Sequence, residues 1–502
     1  MAFINSVVLW LMKERLHQIQ LFEKYPGDVQ RAELRKLLSA AANTEYGKLY
    51  GFASIQNEDD FRRQLPICNY DDLKPYIDRI RAGEQQILWT SEIKWFAKSS
   101  GTTNDKSKFI PVSNESLAEC HYKGGKDLYA LYVNNYPETK LFSGMNLSMG
   151  GSHHICENNS DAFYGDVSAI IMQNLPFWAE FRRVPNLDIA LMNEWEEKIN
   201  KMAAATIKED VTNIAGVPSW TLVLFNKILE LTGKNNISEV WPNLETFFHG
   251  GVSFTPYVHQ FQNIIQNPDF HYMETYNASE GFFGIQDQKN NGDLLLMLDY
   301  GVYYEFVTPE ELEKPNPKCL GLEEIELGTN YAMLISTNAG LWRYLIGDTV
   351  QFTNKNPYRI RISGRTKHFI NTFGEELIVD NADKAIQMAC EKTHAMVNDY
   401  TAAPVYMDEH KQACHQWLIE FEKEPESLAY FTELLDNALK SCNSDYEAKR
   451  YKNMVLKMPL VQALPKGTFY KWMKKKGKLG GQHKVPRLAN HREYVEEILQ
   501  EI

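Results

Sequence analysis

Apolar positions recur along the chain with two different periods. Over residues 28–42 and 190–209 they return every three to four positions, with charged residues between, which predicts amphipathic helices. Short apolar runs at 94–97, 109–112, 294–298, 331–335 and 358–362 predict strands. The two kinds of pattern are interleaved, so the expected fold class is α/β or α+β, built in layers. Residues 309–317 are charged and bounded by prolines, and predict a surface loop. From about residue 381 the pattern changes. Helical patterns at 381–396 and 425–441 flank a strand pattern at 416–422. A boundary near 363–367 then divides a large domain, 1–365, from a small C-terminal α/β domain, 366–502.

Residues 3–12 are apolar and are followed by Lys13-Glu14-Arg15. A secretory signal has positive charge before its apolar run and small residues after it. This run has the opposite flanks and is far shorter than the ~20 residues that cross a bilayer, so it predicts the start of an N-terminal helix. The expectation is a cytoplasmic protein that does not enter a membrane.

Composition narrows the function. The chain is 44% hydrophobic and 24% charged, as in ordinary globular proteins. It holds 53 Lys and Arg against 65 Asp and Glu, a net charge of −12 that argues against nucleic acid as the partner. Residues 465–492 depart from this, with nine Lys or Arg and no acid. The seven cysteines are dispersed, without a C-x-x-C, which argues against a disulfide framework or zinc ribbon and for a reducing compartment. Neither His153-His154 nor the His410, Cys414 and His415 group has a tight metal-ligand spacing, so no zinc is expected.

Five segments carry candidate chemistry. Ser99-Ser100-Gly101-Thr102-Thr103-Asn104-Asp105-Lys106-Ser107-Lys108 lies between two strand patterns. Small residues admit close backbone approach, and hydroxyls with freed N–H groups surround phosphate oxygens, while Lys106 and Lys108 balance charge. The same composition also makes a polar hairpin loop. Tyr276-Asn277-Ala278-Ser279-Glu280-Gly281 offers an aromatic ring for a base or pocket wall and a carboxylate suited to Mg²⁺, or else a core tyrosine and an exposed acid. In Gly340 to Asp348, the acid follows a glycine turn and can accept hydrogen bonds from two ribose hydroxyls, or simply complete a Gly-Asp turn. Arg343 in that segment reads as a phosphate contact or a structural ion-pair partner. Residues 363–370, followed by Gly374, read as a hinge or as a hairpin with a charged tip. Finally, Lys484 follows Gly480-Gly481 and can neutralise charge on a transferring group, or belong to a solvated basic tail.

The order of these segments is more specific than any one of them. A Ser/Gly/Thr loop, an aromatic-x-x-Ser-Glu turn, a Gly-Asp, a Gly-Arg-x-Lys before a small domain and a C-terminal lysine resemble the adenylate-forming superfamily of acyl-CoA synthetases, adenylation domains and luciferases. Within it, the chain is most similar to the Gretchen Hagen-type, auxin-responsive acyl acid amido synthetases. Ser99-Ser100-Gly101-Thr102, Tyr276-x-Ala278-Ser279-Glu280, Ala339-Gly340-Leu341-x-Arg343-Tyr344-x-x-Gly347-Asp348, His483-Lys484-Val485-Pro486-Arg487 and Trp241-Pro242-Asn243 carry that narrower likeness.

The resemblance implies a large N-terminal domain of layered sheets and helices with a small mobile lid. It implies ATP and Mg²⁺ as cofactors, and a small carboxylic acid and an amino acid as substrates. Ser99, Ser100, Gly101, Thr102, Tyr276, Ser279, Asp348 and Arg365 would bind nucleotide, Glu280 would bind Mg²⁺, and Lys484 would act at the α-phosphate during adenylation. Thr103-Asn104-Asp105 and Asn277-Ala278-Ser279 differ from the plant pattern and suggest a microbial member with its own acid and acceptor. Residues 149–154 and 215–220 are candidates for the acyl pocket. Two alternatives share the nucleotide site: an acyl-CoA ligase, and a nucleotide-binding sensor without turnover.

Overall fold

The computed structural model describes residues 2–100, 107–151, 153–156, 159–175, 180–192, 194–251, 254, 257–289, 291–312, 314–365, 369–375, 377–406, 413–453, 455–476 and 485–502. The chain forms two compact units. One comprises residues 1–98, 109–251 and 261–366, and the other 99–108, 252–260 and 367–502.

The first unit is organised around an eleven-stranded mixed sheet. Its antiparallel half runs through the strands Val302–Val307, Asn330–Thr337, Tyr344–Lys355, Tyr358–Arg365, Leu294–Leu296 and Gly281–Gln286. The parallel half is formed by Thr246–Gly250, Val211–Gly216, Met145–Ser148 and Arg183–Val184. The strand His271–Ala278 joins the halves, antiparallel to Gly281–Gln286 and parallel to Thr246–Gly250. Parallel strands need crossovers, and the helices Pro218–Thr232 and Val258–Ile265 occupy the sequence between them. A second sheet pairs Trp95–Ser100 with Ser107–Val112 and with the hairpin His153–Cys156 and Asn159–Gly165.

Helix Pro26–Ala41 shows how pattern becomes packing. Pro26 opens the helix, where its missing N–H costs nothing. Gln30, Leu34, Leu37, Leu38 and Ala41 share its buried face. Gln30 is the polar exception, and it is fully used. Its amide donates to the Leu298 and Val302 carbonyls at 2.8 and 3.0 Å and accepts from Tyr304 N–H at 2.9 Å. The expected helix at 190–209 begins later, at Trp195, because Glu194 caps it by accepting from Glu197 N–H at 2.7 Å. The separate short helix Leu187–Ala190 is capped by Asn186. Residues 309–317 are not wholly loop, since Pro309–Leu312 forms one helical turn without a buried residue. The N-terminal apolar run opens helix Ala2–Lys24, and among the described residues no helix is long and apolar enough to cross a membrane.

The second unit carries a three-stranded sheet of Met396–Val405, Cys414–Lys423 and Leu460–Leu464. Helices Val379–Thr393 and Leu428–Cys442 pack on each other. At its centre Glu375 and His415 are both fully buried and 2.8 Å apart, and Glu375 also accepts from Phe373 N–H at 2.6 Å. The segment after Lys484 is tethered to this sheet. Thr401 donates to the Pro486 carbonyl at 2.6 Å, and Ala402 N–H donates to the Arg487 carbonyl at 2.9 Å.

Arg343 resolves into a structural role. Its side chain is 5% exposed and pairs with Glu305, 1% exposed, at 2.9 and 3.1 Å. Its remaining donors reach the Arg62 and Leu65 carbonyls at 3.0 and 2.6 Å. Removing one partner would strand the other charge in the core. Glu305→Ala is therefore expected to destabilise the fold by roughly 3–5 kcal/mol, read from urea denaturation.

Candidate active site

Ligands of open α/β sheets gather at the carboxyl ends of the strands, where the connectivity changes sense. In this sheet that place is the end of His271–Ala278. The next strand begins at Gly281, paired with Ala278, so Ser279 and Glu280 are the two residues of a tight hairpin. The hairpin is anchored from below. Phe282 N–H donates to the Cys120 sulfur at 3.1 Å. Both Ser279 and Glu280 remain partly exposed.

Tyr276 sits just below the turn with 5% exposure and donates its hydroxyl to Asp348 Oδ2 at 2.6 Å. Two sequence-predicted nucleotide residues, 72 positions apart, are thereby in direct contact. Asp348 differs from expectation in its backbone. It does not follow a turn but lies inside the strand Tyr344–Lys355. Ala332 pairs with Thr349 while Leu334 pairs with Leu345, so this strand bulges by two residues, and Gly347 has φ +96° within the bulge. A glycine is required there because side chains rarely adopt that conformation, and the bulge re-aims the acid beside it. Arg365 is the register partner of Asp348 on the neighbouring strand.

The remaining predicted residues divide. Ser99 and Ser100 end the strand Trp95–Ser100. Gly101, Thr102 and Lys484 lie outside the described residues, as do the side chains of Ser100 and Arg365. The two acyl-pocket candidates are brought together. Ser148 pairs with Ala215, and Met149 N–H donates to the Ala215 carbonyl at 3.3 Å. Lys198, 2% exposed, donates to the Gly150 and Gly151 carbonyls and holds that turn in place.

Sequence reasoning missed three titratable groups that packing desolvates. Glu274 lies two residues before Tyr276, hence on the same face of its strand. Burial pushes its carboxyl up to about 7. Its register partner His249 is pushed down to about 3 by burial, and His121 to about 4. Both imidazoles are therefore neutral at physiological pH. The signal available in the sequence was the strand period alone, since Glu274 and Tyr276 are two apart.

Asp348 suits a ribose, being a nearly buried carboxylate oriented by the Tyr276 hydroxyl. Among the described residues no group of three His, Cys, Asp or Glu side chains could hold a metal ion by itself. A single carboxylate such as Glu280 suits Mg²⁺, which keeps waters and takes substrate phosphates as its other ligands.

Residues 15–270 match the GH3 family N-terminal domain, 295–365 its central domain and 380–493 its C-terminal domain. The 4-substituted benzoates-glutamate ligase GH3.12 of Arabidopsis thaliana is 23% identical, over 91% of this chain and 92% of its own. Jasmonoyl--L-amino acid synthetase JAR4 of Nicotiana attenuata is 24% identical, over 95% and 93%. The indole-3-acetic acid-amido synthetase GH3.3 of Arabidopsis thaliana is 25% identical over 65% of this chain, which spans 64% of that relative. The fold is shared with AtGH3.15 acyl acid amido synthetase in complex with 2,4-DB, at a TM-score of 0.62, 16% identity and coverage of 100% and 97%. It is also shared with 2-hydroxyisobutyryl-CoA ligase, at 0.58, 12% identity and coverage of 95% and 92%. With consecutive matches to all three domains, the first spanning half the sequence, the chain belongs to the GH3 family.

Proposed function

We propose that the chain is an ATP-dependent acyl acid–amino acid ligase. The observation that carries this reading is the Tyr276–Asp348 pair at the sheet's switch strand, in a chain that spans the three GH3 domains. In the first step a carboxylate oxygen of the acid attacks the α-phosphorus of ATP, and pyrophosphate leaves. In the second, an amino acid's amine attacks the acyl carbon. The bond to AMP breaks, the nitrogen loses its proton, and an amide forms. A carboxylate is a poor electrophile, so the adenylate supplies the leaving group that the amide bond requires.

The chain's residues take the following parts in this scheme. Asp348 accepts from the ribose hydroxyls, with Tyr276 holding its carboxylate in place. The Tyr276 ring packs against Phe283, with centroids 5.0 Å apart, and closes the base side of the site. Glu274, on the same strand face, offers an acceptor to the exocyclic amine of the base. Ser99, Ser100, Gly101 and Thr102 bind phosphate oxygens, Ser279 also binds nucleotide, and Arg365 adds positive charge as the register partner of Asp348. Glu280 would hold Mg²⁺, whose chemistry there is to neutralise the departing pyrophosphate. Lys484 stabilises charge at the α-phosphate during adenylation. The domain of residues 366–502 serves as a mobile lid that excludes water from the acyl-adenylate.

Pooled aromatic, benzoic and fatty acids with ATP, Mg²⁺ and amino acids test the class. The expected result is acid-dependent pyrophosphate release and an amide of the matching mass. A thioester formed with coenzyme A in place of the amide would shift the acceptor, and ATP binding without any release would favour a sensor. Asp348→Ala is expected to weaken ATP binding about tenfold or more by calorimetry, as the loss of a charged hydrogen-bonding partner does. Lys484→Ala is expected to lower pyrophosphate release about 100-fold while ATP affinity stays within about threefold. Equal release by parent and variant would remove Lys484 from the chemistry.

Glu274 gives a pH signature. Its carboxyl titrates about 7 in the folded chain against 4.5 when unfolded. The folded state keeps a proton that the unfolded state gives up, so stability is greatest below the unfolded value and falls as pH rises from 4.5 to about 7. Glu274→Gln removes that fall. The variant should match the parent at low pH and exceed it by on the order of 3 kcal/mol at alkaline pH in urea denaturation.

A further inference from the structure

Helix Tyr122–Asn135 covers one face of the parallel half of the sheet through its tyrosines. The Tyr129 and Tyr132 rings meet Phe248 edge-on, with centroids at 5.4 and 5.5 Å. Phe248 pairs in register with Ala215, and Ser148 pairs with Ala215 from the other side. Asn146, two residues before Ser148, shares that face. Its Nδ2 donates to the Tyr129 hydroxyl at 3.4 Å, which sets it under the helix. Ala215, Ser148, Asn146 and Tyr129 are all partly exposed. A solvent-touched track thus runs from the strand ends at Ser148 and Ala215 to Asn146, about 7 Å lower.

Arg182 stands at the lower end of this track. Its carbonyl accepts from Asn146 N–H at 2.6 Å. Its guanidinium carbon lies 5.8 Å from the centre of the Phe142 ring, and that ring lies 6.0 Å from Tyr129. Arg182 is only partly exposed, and burial lowers its pKa, with Tyr129 the group that opposes this. Arginines of similar or greater depth have partners. Arg183 beside it donates to the Pro185 carbonyl at 2.7 Å, and Arg343 and Arg450 are paired with acids. Among the described residues the Arg182 guanidinium has neither a hydrogen bond nor an ion pair. The Tyr129 hydroxyl accepts from Asn146 and, among the described residues, donates to nothing. In a chain with 65 acids against 53 bases, a half-buried arginine left without a carboxylate is an exception that asks for a reason.

Both groups are donors in want of an acceptor. The guanidinium is a planar fork of N–H donors with a fixed charge, and the tyrosine adds an O–H. A carboxylate accepts from both, matches the fork and balances the charge. A hydroxyl or carbonyl would leave the charge unbalanced, and an ammonium would be repelled. Both substrates of the proposed ligase carry carboxylates, and position separates them. Arg182 precedes the edge strand Arg183–Val184, four strands from His271–Ala278 and so about 19 Å from it across the sheet. The reacting carboxylate must meet the α-phosphate at that distant strand. The carboxylate of an amino acid lies two bonds from the attacking amine, so it stays there too. Only the far end of a long acid reaches Arg182. Resting on the ligase reading above, we infer that the acid substrate carries a second carboxylate, remote from the reacting one, which Arg182 and Tyr129 hold. Sites built to hydrogen-bond a substrate group discriminate strongly, because the analogue lacking it leaves their polar atoms unpaired.

Acid-dependent pyrophosphate release measures this with matched pairs: octanoate against octanedioate, decanoate against decanedioate, and dodecanoate against dodecanedioate. In the parent, at least one diacid should exceed its monoacid in kcat/KM by about 10- to 100-fold, the worth of a charge-assisted hydrogen bond. Arg182→Met should bring that ratio toward one through the KM of the diacid. Arg182→Lys, which keeps the charge and loses the fork, should recover part of it, and Tyr129→Phe should lower it less than Arg182→Met does. A ratio of one or less in every pair, with release intact, overturns this inference alone. So does a diacid preference that survives Arg182→Met, or a KM change in that variant confined to the amino acid. Absence of release with every acid overturns the ligase reading and the inference with it.

Discussion

The strand His271–Ala278 must satisfy two ladders of opposite sense at once. Its register with Thr246–Gly250 is parallel and its register with Gly281–Gln286 is antiparallel. A slip of one residue on either side would exchange its two faces. Tyr276 would then leave Asp348, and Asn277 would leave the helix side of the sheet. The tight hairpin through Ser279 and Glu280 fixes one ladder, and the crossover through Val258–Ile265 fixes the other. The active-site geometry therefore follows from strand pairing before any ligand is considered.

That strand also sets the electrostatic character of the site. Groups along and beside it are shifted toward their neutral forms, with His249 and His121 pushed down and Glu274 pushed up. Surroundings that disfavour charge strengthen the charged contacts that remain, among them the hydrogen bond from Tyr276 to Asp348. The buried Arg343–Glu305 pair joins the strand Val302–Val307 to the residue just before Tyr344–Lys355 and serves a different purpose. It ties the strands Val302–Val307 and Tyr344–Lys355 to the Arg62 and Leu65 carbonyls, which steadies the base of the Gly347 bulge.

Strong periodicity makes helices and strands legible in the sequence. The patterns at 28–42, 331–335 and 416–422 reappear as Pro26–Ala41, Asn330–Thr337 and Cys414–Lys423. Before Asp348 the sequence suggests a turn where the structure has a bulge, because the two place the same demand on Gly347. Arg343 remains ambiguous in sequence because its partner Glu305 is 38 residues away. Glu274 and His121 carry no motif at all. What distinguishes them is desolvation, and that exists only once both faces of the sheet are covered.

Gly124 lies one turn beyond His121, against the ring of Phe282, and a Cβ placed there would come within 2.7 Å of that ring. The helix can therefore lie this near the hairpin only because that position has no side chain. Helix height is thus set by an absent methyl group. A change that lifted the helix would move His121 and loosen the Cys120 anchor together.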